Sequence, residues 1–162
     1  VSLEAEIELL DNYLAIEQMR FKDRLTIEKH IDARTLAVPV PAMILQPLVE
    51  NSLRHGINAI EGPGVLKIRS AWMGDRILLE VADNGPGCET FNTADFREGV
   101  GLSNVRGRLQ QLYGHDFVFS MNATSRPGTV VRIELPVALA QVADGPVVVR
   151  TGRATLPPRR RW

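Results

Sequence analysis

Cys88 is the only cysteine in 162 residues, which excludes an internal disulfide and a zinc site built from cysteines. A reducing, cytoplasmic setting fits that scarcity. Net charge is lacking too. The 19 basic and 19 acidic side chains balance, so bulk electrostatics point neither to nucleic acid nor to an anionic membrane. No apolar run reaches the roughly 18 residues that signal a membrane span, and no signal-peptide pattern opens the chain. No internal repeat is visible. Two common phosphate-binding motifs are missing as well. No Gly-Lys-Ser/Thr follows a glycine loop, which removes a Walker P-loop, and GVGLSN lacks the third glycine of a dinucleotide fingerprint. The chain opens on Val1 rather than methionine and inside a helical pattern, so a fragment of a longer protein is expected. What is present fits one globular domain: 44% hydrophobic and 23% charged residues, over a length that buries a substantial core.

Residues 44–57, ILQPLVENSLRHGI, are the stretch around which the rest makes sense. Read as a helix, they place Ile44, Leu48 and Leu53 near one apolar stripe that Leu45 and Val49 widen. Glu50, Arg54 and Ile57 follow i, i+4, i+7 spacing, with Asn51 and His55 as a second i, i+4 pair. A carboxylate, an amide, a guanidinium and an imidazole thus gather over about two turns. A solvated face with ordinary charges has the same pattern on this segment alone. Pro47 predicts a kink or split that leaves 48–55 as the working turns, and Gly56 predicts the helix stop. Three further segments add weight. Residues 77–88, ILLEVADNGPGC, run a hydrophobic strand into Asp-Asn-Gly-Pro-Gly; residues 99–109, GVGLSNVRGRL, open an amphipathic helix with a glycine pair. Residues 128–136, GTVVRIELP, run a Gly-Thr turn into an alternating strand.

In that order, ENSLRHG, DNGPG, GVGLSNVRGRL and GTVVRIELP resemble the N, G1 and G2 boxes and the final strand of the histidine-kinase ATPase family, which belongs with gyrase, MutL and the heat-shock chaperone ATPases. The lead-in YLAIEQMRF, the segment VPAMILQPLVENSLRHG and the ending NVRGRLQQLYG narrow the resemblance to LytS/YehU-type sensor histidine kinases. It covers roughly residues 3–137, and its specificity is joint, since each glycine motif alone is weak. The resemblance implies the ATP-binding catalytic domain of a two-component sensor kinase, in the cytoplasmic portion of a membrane-anchored protein. ATP and Mg2+ are then the cofactors, a histidine on an upstream helix the acceptor, and a response regulator receiver domain the next partner. Two other readings stay open. An ATP hydrolase of the gyrase or MutL type is opposed by the short lid, the missing transducer domain and the LytS-type flanking words. A module that binds nucleotide without catalysis is opposed by intact Glu50, Asn51 and Asp83.

The same resemblance distributes the roles. Asp83 accepts from the exocyclic amine of adenine; guanine presents a carbonyl there and is repelled. Taken alone, Asp83 is also a good turn former before Asn-Gly. Thr129 is the second polar contact at the base, reached through a turn in which Arg126-Pro127 partly replaces the usual glycines. Gly85 and Gly87, with Pro86 between them, and Gly99 and Gly101 allow a close approach that a Cβ blocks. Gly101, Leu102 and Asn104 match the G2 positions, and exposed N–H groups at that helix start face the phosphates. Asn51 supplies an oxygen to Mg2+, Arg54 and His55 lie on the phosphate side, and Glu50 is the base or orienter for the incoming nucleophile. A surface Glu50 paired with Arg54 at i+4 is the plain alternative. Cys88 is read as incidental.

The remaining segments fill in an α+β architecture, a two-layer sandwich of the Bergerat ATP-binding type with helices on one face of a mixed, mostly antiparallel sheet. Residues 2–22 read as a helix whose Leu3, Ile7, Leu10, Leu14 and Phe21 form a seam that Glu17 interrupts. That seam packs on its own domain, or on a second chain or an upstream segment. By resemblance residues 1–22 end the dimerisation and phosphotransfer region, through which a homodimer can form; 23–137 are the ATP-binding domain. Residues 25–32 read as a strand, 65–70 and 77–82 as a hairpin turning near Gly74, 90–98 as a mobile loop and 103–113 as a helix burying Val105, Leu109 and Leu112. Residues 117–121 and 129–135 are the last strands. Residues 138–162, ending PPRRRW, read as a flexible basic tail, with 145–150 as a further edge strand in the alternative. None of the three histidines suits a phosphoacceptor. His30 sits in a strand, His115 in a turn and His55 in the ATP-site helix, so this chain is not expected to phosphorylate itself.

Overall fold

The computed structural model describes residues 1–87, 100–124 and 127–137; Cys88, the loop 90–98, Gly99, Arg126 and the tail 138–162 lie outside the described residues. Three helices and five strands follow one another as α1 (Leu3–Phe21), β1 (Leu25–Ile31), α2 (Leu45–Asn51), β2 (Gly64–Trp72), β3 (Arg76–Asp83), α3 (Val100–Tyr113), β4 (Val118–Ala123) and β5 (Thr129–Pro136). The sheet runs β1-β2-β3-β5-β4, parallel only between β1 and β2. The expected mixed sheet with helices on one face is therefore present. Among the described residues no helix is long and apolar enough to cross a membrane.

Period-2 alternation decides which sheet face carries the helices. Leu66 and Ile68 on β2, Ile77, Leu79 and Val81 on β3, and Val131, Ile133 and Leu135 on β5 are all buried. Register stacks Ile68, Val81 and Val131 across three strands. Lys67, Arg69 and Arg132 alternate with them and are exposed. On that side Glu80 accepts from Arg69 at 2.8 Å and from Arg132 Nε at 2.8 Å. The hairpin turns where predicted, with Gly74 at φ 83°.

Helix α1 is capped by Ser2, whose Oγ accepts from the Ala5 amide at 3.2 Å. Its seam packs on its own domain: Leu3, Leu10, Leu14 and Phe21 join the same core as Leu45, Leu48 and Leu53. Glu17 does not break the seam. Its carboxylate accepts from Tyr13 Oη at 2.9 Å and Arg20 Nε at 2.7 Å, which makes a carboxylate tolerable at a buried position. Leu9, Ile16 and Met19 remain exposed on another side of the helix.

Two local expectations are corrected. Pro47 neither kinks nor splits the helix, because α2 begins at Leu45 and Pro47 falls in the first turn, where no N–H has an intrahelical acceptor. Leu112 does not face inward. α3 buries Leu102, Val105, Leu109 and Tyr113, and the tyrosine ring, nearer the centre of that stripe, takes the last core position while Leu112 is exposed.

Because α1 completes this core, Leu10→Ala is expected to lower stability by about 2–5 kcal/mol, read from urea unfolding. An unchanged midpoint would mean that α1 is not packed on the domain in solution.

Candidate functional site

Alternation along β3 has a consequence at its last residue. Ile77, Leu79 and Val81 face the helices, so Asp83 must face them too, and it is 7% exposed. A carboxylate is thereby driven under the helix layer. Register sets Thr129 directly opposite it on β5.

The helix above Asp83 is altered to receive it. After Asn51 the α-helix widens into a π turn, Ser52–Gly56, and then tightens into a 3-10 turn, Ile57–Ala59. Gly56 is thus no helix stop: its φ is −99° and the chain continues helically. Its lack of a side chain serves contact, since a Cβ on Gly56 would overlap the Asp83 carboxylate. Gly85 is pressed on Gly56 in the same way, a Cβ on Gly128 would overlap the Asp83 backbone carbonyl, and one on Gly87 would lie 2.9 Å from the Gly128 carbonyl oxygen. Gly56, Gly85, Gly87 and Gly128 therefore interlock backbone on backbone around one carboxylate. Asn84 ties that turn to β2, accepting from the Val65 amide at 2.7 Å and donating to the Pro63 carbonyl at 3.0 Å.

Burial raises the Asp83 pKa above the ordinary carboxylate value, against the opposing pull of the Gly85 amide, the Ser52 hydroxyl and the Thr129 amide. Gly85 donates to Oδ1 at 2.9 Å. Ser52, although close enough to favour the charge, reaches no acceptor or donor at hydrogen-bond geometry, and its Oγ is buried without a partner. A buried hydroxyl without a partner beside a buried carboxylate is what a polar ligand ring would complete.

The other expected residues spread outward from this point. Asn51 precedes Ser52 and is half-buried, as is Glu50, which accepts from Gln46 Nε2 at 3.0 Å. Arg54 and His55 are exposed on the π turn, and no ion pair joins Glu50 to Arg54. The widened turn removes the i, i+4 stacking on which that pairing depends. Burial, the Glu17 hydrogen bond and the charges of Glu17 and Glu50 push the Tyr13 phenol up. Gly101 meets α2 at Pro47, where a Cβ would stand in ordinary contact at 3.6 Å. Beside it an open groove of about 590 Å³ runs between Met43, Pro47 and the Asn104 and Arg108 side of α3. Leu102 is in the core, so only its backbone is available to a ligand; Gly99 lies outside the described residues. Ser52, Gly56 and Gly128 join the site without a sequence signal for that role: Gly128 is visible only as part of the Gly-Thr turn, Gly56 only as an expected helix stop, and Ser52 not at all.

Residues 39–139 match the histidine kinase-, DNA gyrase B-, and HSP90-like ATPase family, and the chain belongs to it. Relatives carry sensor names. The sensor histidine kinase YpdA of Escherichia coli is 33% identical over 150 residues, covering 89% of this chain and 26% of that protein. The sensor protein LytS of Oceanobacillus iheyensis is 32% identical over 147 residues, covering 84% of this chain and 25% of that protein. This chain thus spans about a quarter of the length of these curated relatives. Among solved structures, the catalytic domain of histidine kinase ThkA shares the fold at TM-score 0.63 and 21% identity, over 85% of this chain and 94% of that one. Acinetobacter baumannii histidine kinase AdeS does so at TM-score 0.65 and 19% identity, over 84% and 65%.

A folded-state pKa above the unfolded value means that the native chain holds more protons between the two, so stability falls as pH rises from about 3.8 through the raised value. Asp83→Asn removes that penalty. It should raise the ligand-free Tm at pH 7 and flatten this part of the pH profile. A lower Tm in the variant would refute a net cost for the buried charge.

Proposed function

We propose that this chain is the ATP-binding catalytic domain of a sensor histidine kinase, passing the γ-phosphate to a histidine on another helical segment. The observation that carries this reading is the buried Asp83 carboxylate, interlocked by glycines and flanked by Thr129 and the unpartnered Ser52 hydroxyl. Such a group accepts from an exocyclic amine and repels the carbonyl that guanine presents, which selects adenine. Full-length ShkA, which shares the fold at TM-score 0.59 and 16% identity, is known in complex with AMPPNP.

From the base, the triphosphate would run toward Asn51 and the start of α3, where Gly101 and the Leu102 backbone offer N–H groups and Asn104 a side chain. Arg54 and His55 supply positive charge or donors from the π turn. Magnesium bridging a triphosphate keeps several waters and needs one or two protein oxygens. The Asn51 amide oxygen is such a donor, with Glu50 one residue away. Bound Mg2+ would neutralise developing charge on the phosphates; Glu50, steadied by Gln46, would orient the nucleophile and take its proton. The acceptor histidine belongs to a segment other than those described. His30 is on β1, His55 on the π turn and His115 in the turn after α3. A response regulator receiver domain would take the phosphoryl group next. A homodimer through residues 1–22 would have to use the Leu9, Ile16 and Met19 side of α1, because the seam is already covered.

Incubation with labelled ATP and Mg2+ should leave no acid-labile label on this chain, and a histidine-bearing upstream helix supplied in trans should become labelled. ATP should bind and GTP should not, Asp83→Asn should abolish binding, and Glu50→Gln should keep ATP affinity while slowing transfer by about 100-fold or more. Transfer undiminished in Glu50→Gln would remove that residue from the mechanism. Free phosphate in place of phosphohistidine would favour a hydrolase.

A further inference from the structure

Glu6, on the first turn of α1, is 3% exposed and pairs with no cation among the described residues. Its carboxylate is spent on three successive backbone amides at the start of α2. Oε1 accepts from Met43 at 2.7 Å, and Oε2 from Ile44 at 2.9 Å and Leu45 at 3.0 Å. Met43 holds a positive φ of 60°, rare for a side chain of its size, which turns its amide into line with the next two. Its carbonyl is taken by Arg108 of α3 at 3.1 Å. Residues 43–45 are therefore the joint at which α1, α2 and α3 are held together. Two turns further along α1, Tyr13 lies within the electrostatic reach of Glu50.

We infer that Glu6 is a positioning residue for the nucleotide site: it sets where α2 begins, and so fixes Glu50 and Asn51 relative to Asp83, which makes nucleotide binding and the seating of α1 depend on each other. The inference rests on the reading of Asn51 and Asp83 as nucleotide contacts. Its physical basis is the shortness of α2. Only five or six residues separate the joint from Glu50 and Asn51. A charge-assisted triple hydrogen bond at the joint leaves the helix little freedom to slide or rotate. If α1 moves along its axis, the amides must follow or be left unpaired under the core. Linkage then requires the reverse: a ligand that fixes Asn51 steadies the joint.

The test uses the full chain with Mg–ATP, by titration calorimetry and by amide hydrogen exchange. In the wild type, Mg–ATP should slow exchange of the Met43, Ile44 and Leu45 amides. Glu6→Gln, which replaces one acceptor oxygen with an NH2 facing an amide, should weaken Mg–ATP binding about tenfold, within the roughly 5- to 150-fold range of such couplings. Glu6→Asp should be intermediate. A Glu6→Gln chain with a lower Tm but wild-type affinity and unchanged ATP-dependent protection would make Glu6 a cap and nothing more. If Glu6→Gln does not fold, the wild-type exchange decides, since amides indifferent to Mg–ATP overturn the inference. Failure of the wild type to bind ATP at all would instead strike the functional reading on which this one rests.

Discussion

One buried carboxylate sets the terms for the rest of this fold. Asp83 lies on the core side of a central strand because the strand period leaves it no other side, and among the described residues no basic group offsets its burial. The surroundings answer with small residues and backbone donors. Gly56, Gly85 and Gly128 bring three chain segments against the carboxylate and its peptide, closer than any side chain permits. The π turn belongs to the same accommodation, because it lets the helix pass over Asp83 with Gly56 at the contact. Local rules of stability are broken here together, as happens where a site needs a geometry that packing alone would not choose.

A second carboxylate, Glu6, shows the opposite solution to burial. Its charge is fully used by amides at 2.7–3.0 Å, in a helix seam that otherwise reads as apolar. It joins α1 to the start of α2, and the leucines of α1 share one core with Leu45 and Leu48. Glu6 is the point at which α1 is keyed to the start of α2, whereas Glu17 is satisfied within α1 by Tyr13 and Arg20. Leucines alone would allow slippage by a turn, because dispersion contacts are not directional.

How much of this was legible in the sequence depends on the range of the contact. The sheet was legible, since alternation in 65–70, 77–82 and 129–135 is a local signal and the strands formed where it lies. The convergence of the N box, the G1 glycines and the final strand was legible as a resemblance, and contacts among Gly56, Gly85, Asp83 and Gly128 bring those segments together. What sequence could not supply were properties owned by two distant residues at once. Gly56 reads as a stop until Asp83 is placed beneath it. Glu17 reads as a defect until Tyr13 and Arg20 are turned toward it, and Glu6 as a solvated charge until 43–45 arrive. Pro47 reads as a breaker unless the start of α2 is known to within two residues. Leu112 and Tyr113 are adjacent and both apolar enough for the core, so only the true helix phase separates them.

The two ends of the site differ in how they are built, and the difference bears on the proposed chemistry. At the base end, backbone locks on backbone and the polar groups are buried, so recognition there is rigid and preorganised. At the phosphate end, the described side chains Arg54, His55 and Asn104 are exposed, and Gly101 meets its neighbour only in ordinary contact. On the proposed reading, a rigid grip on adenine supplies affinity that does not depend on contacts to the phosphates. An end open to a second reactant suits transfer to a macromolecular acceptor, whose own docking must exclude water and complete the geometry. A hydrolase faces the contrary demand, because it must hold a water in line within its own walls. On the proposed reading, the contrast among the described residues between the close-packed Asp83 end and the exposed Arg54, His55 and Asn104 suits transfer to an acceptor better than hydrolysis.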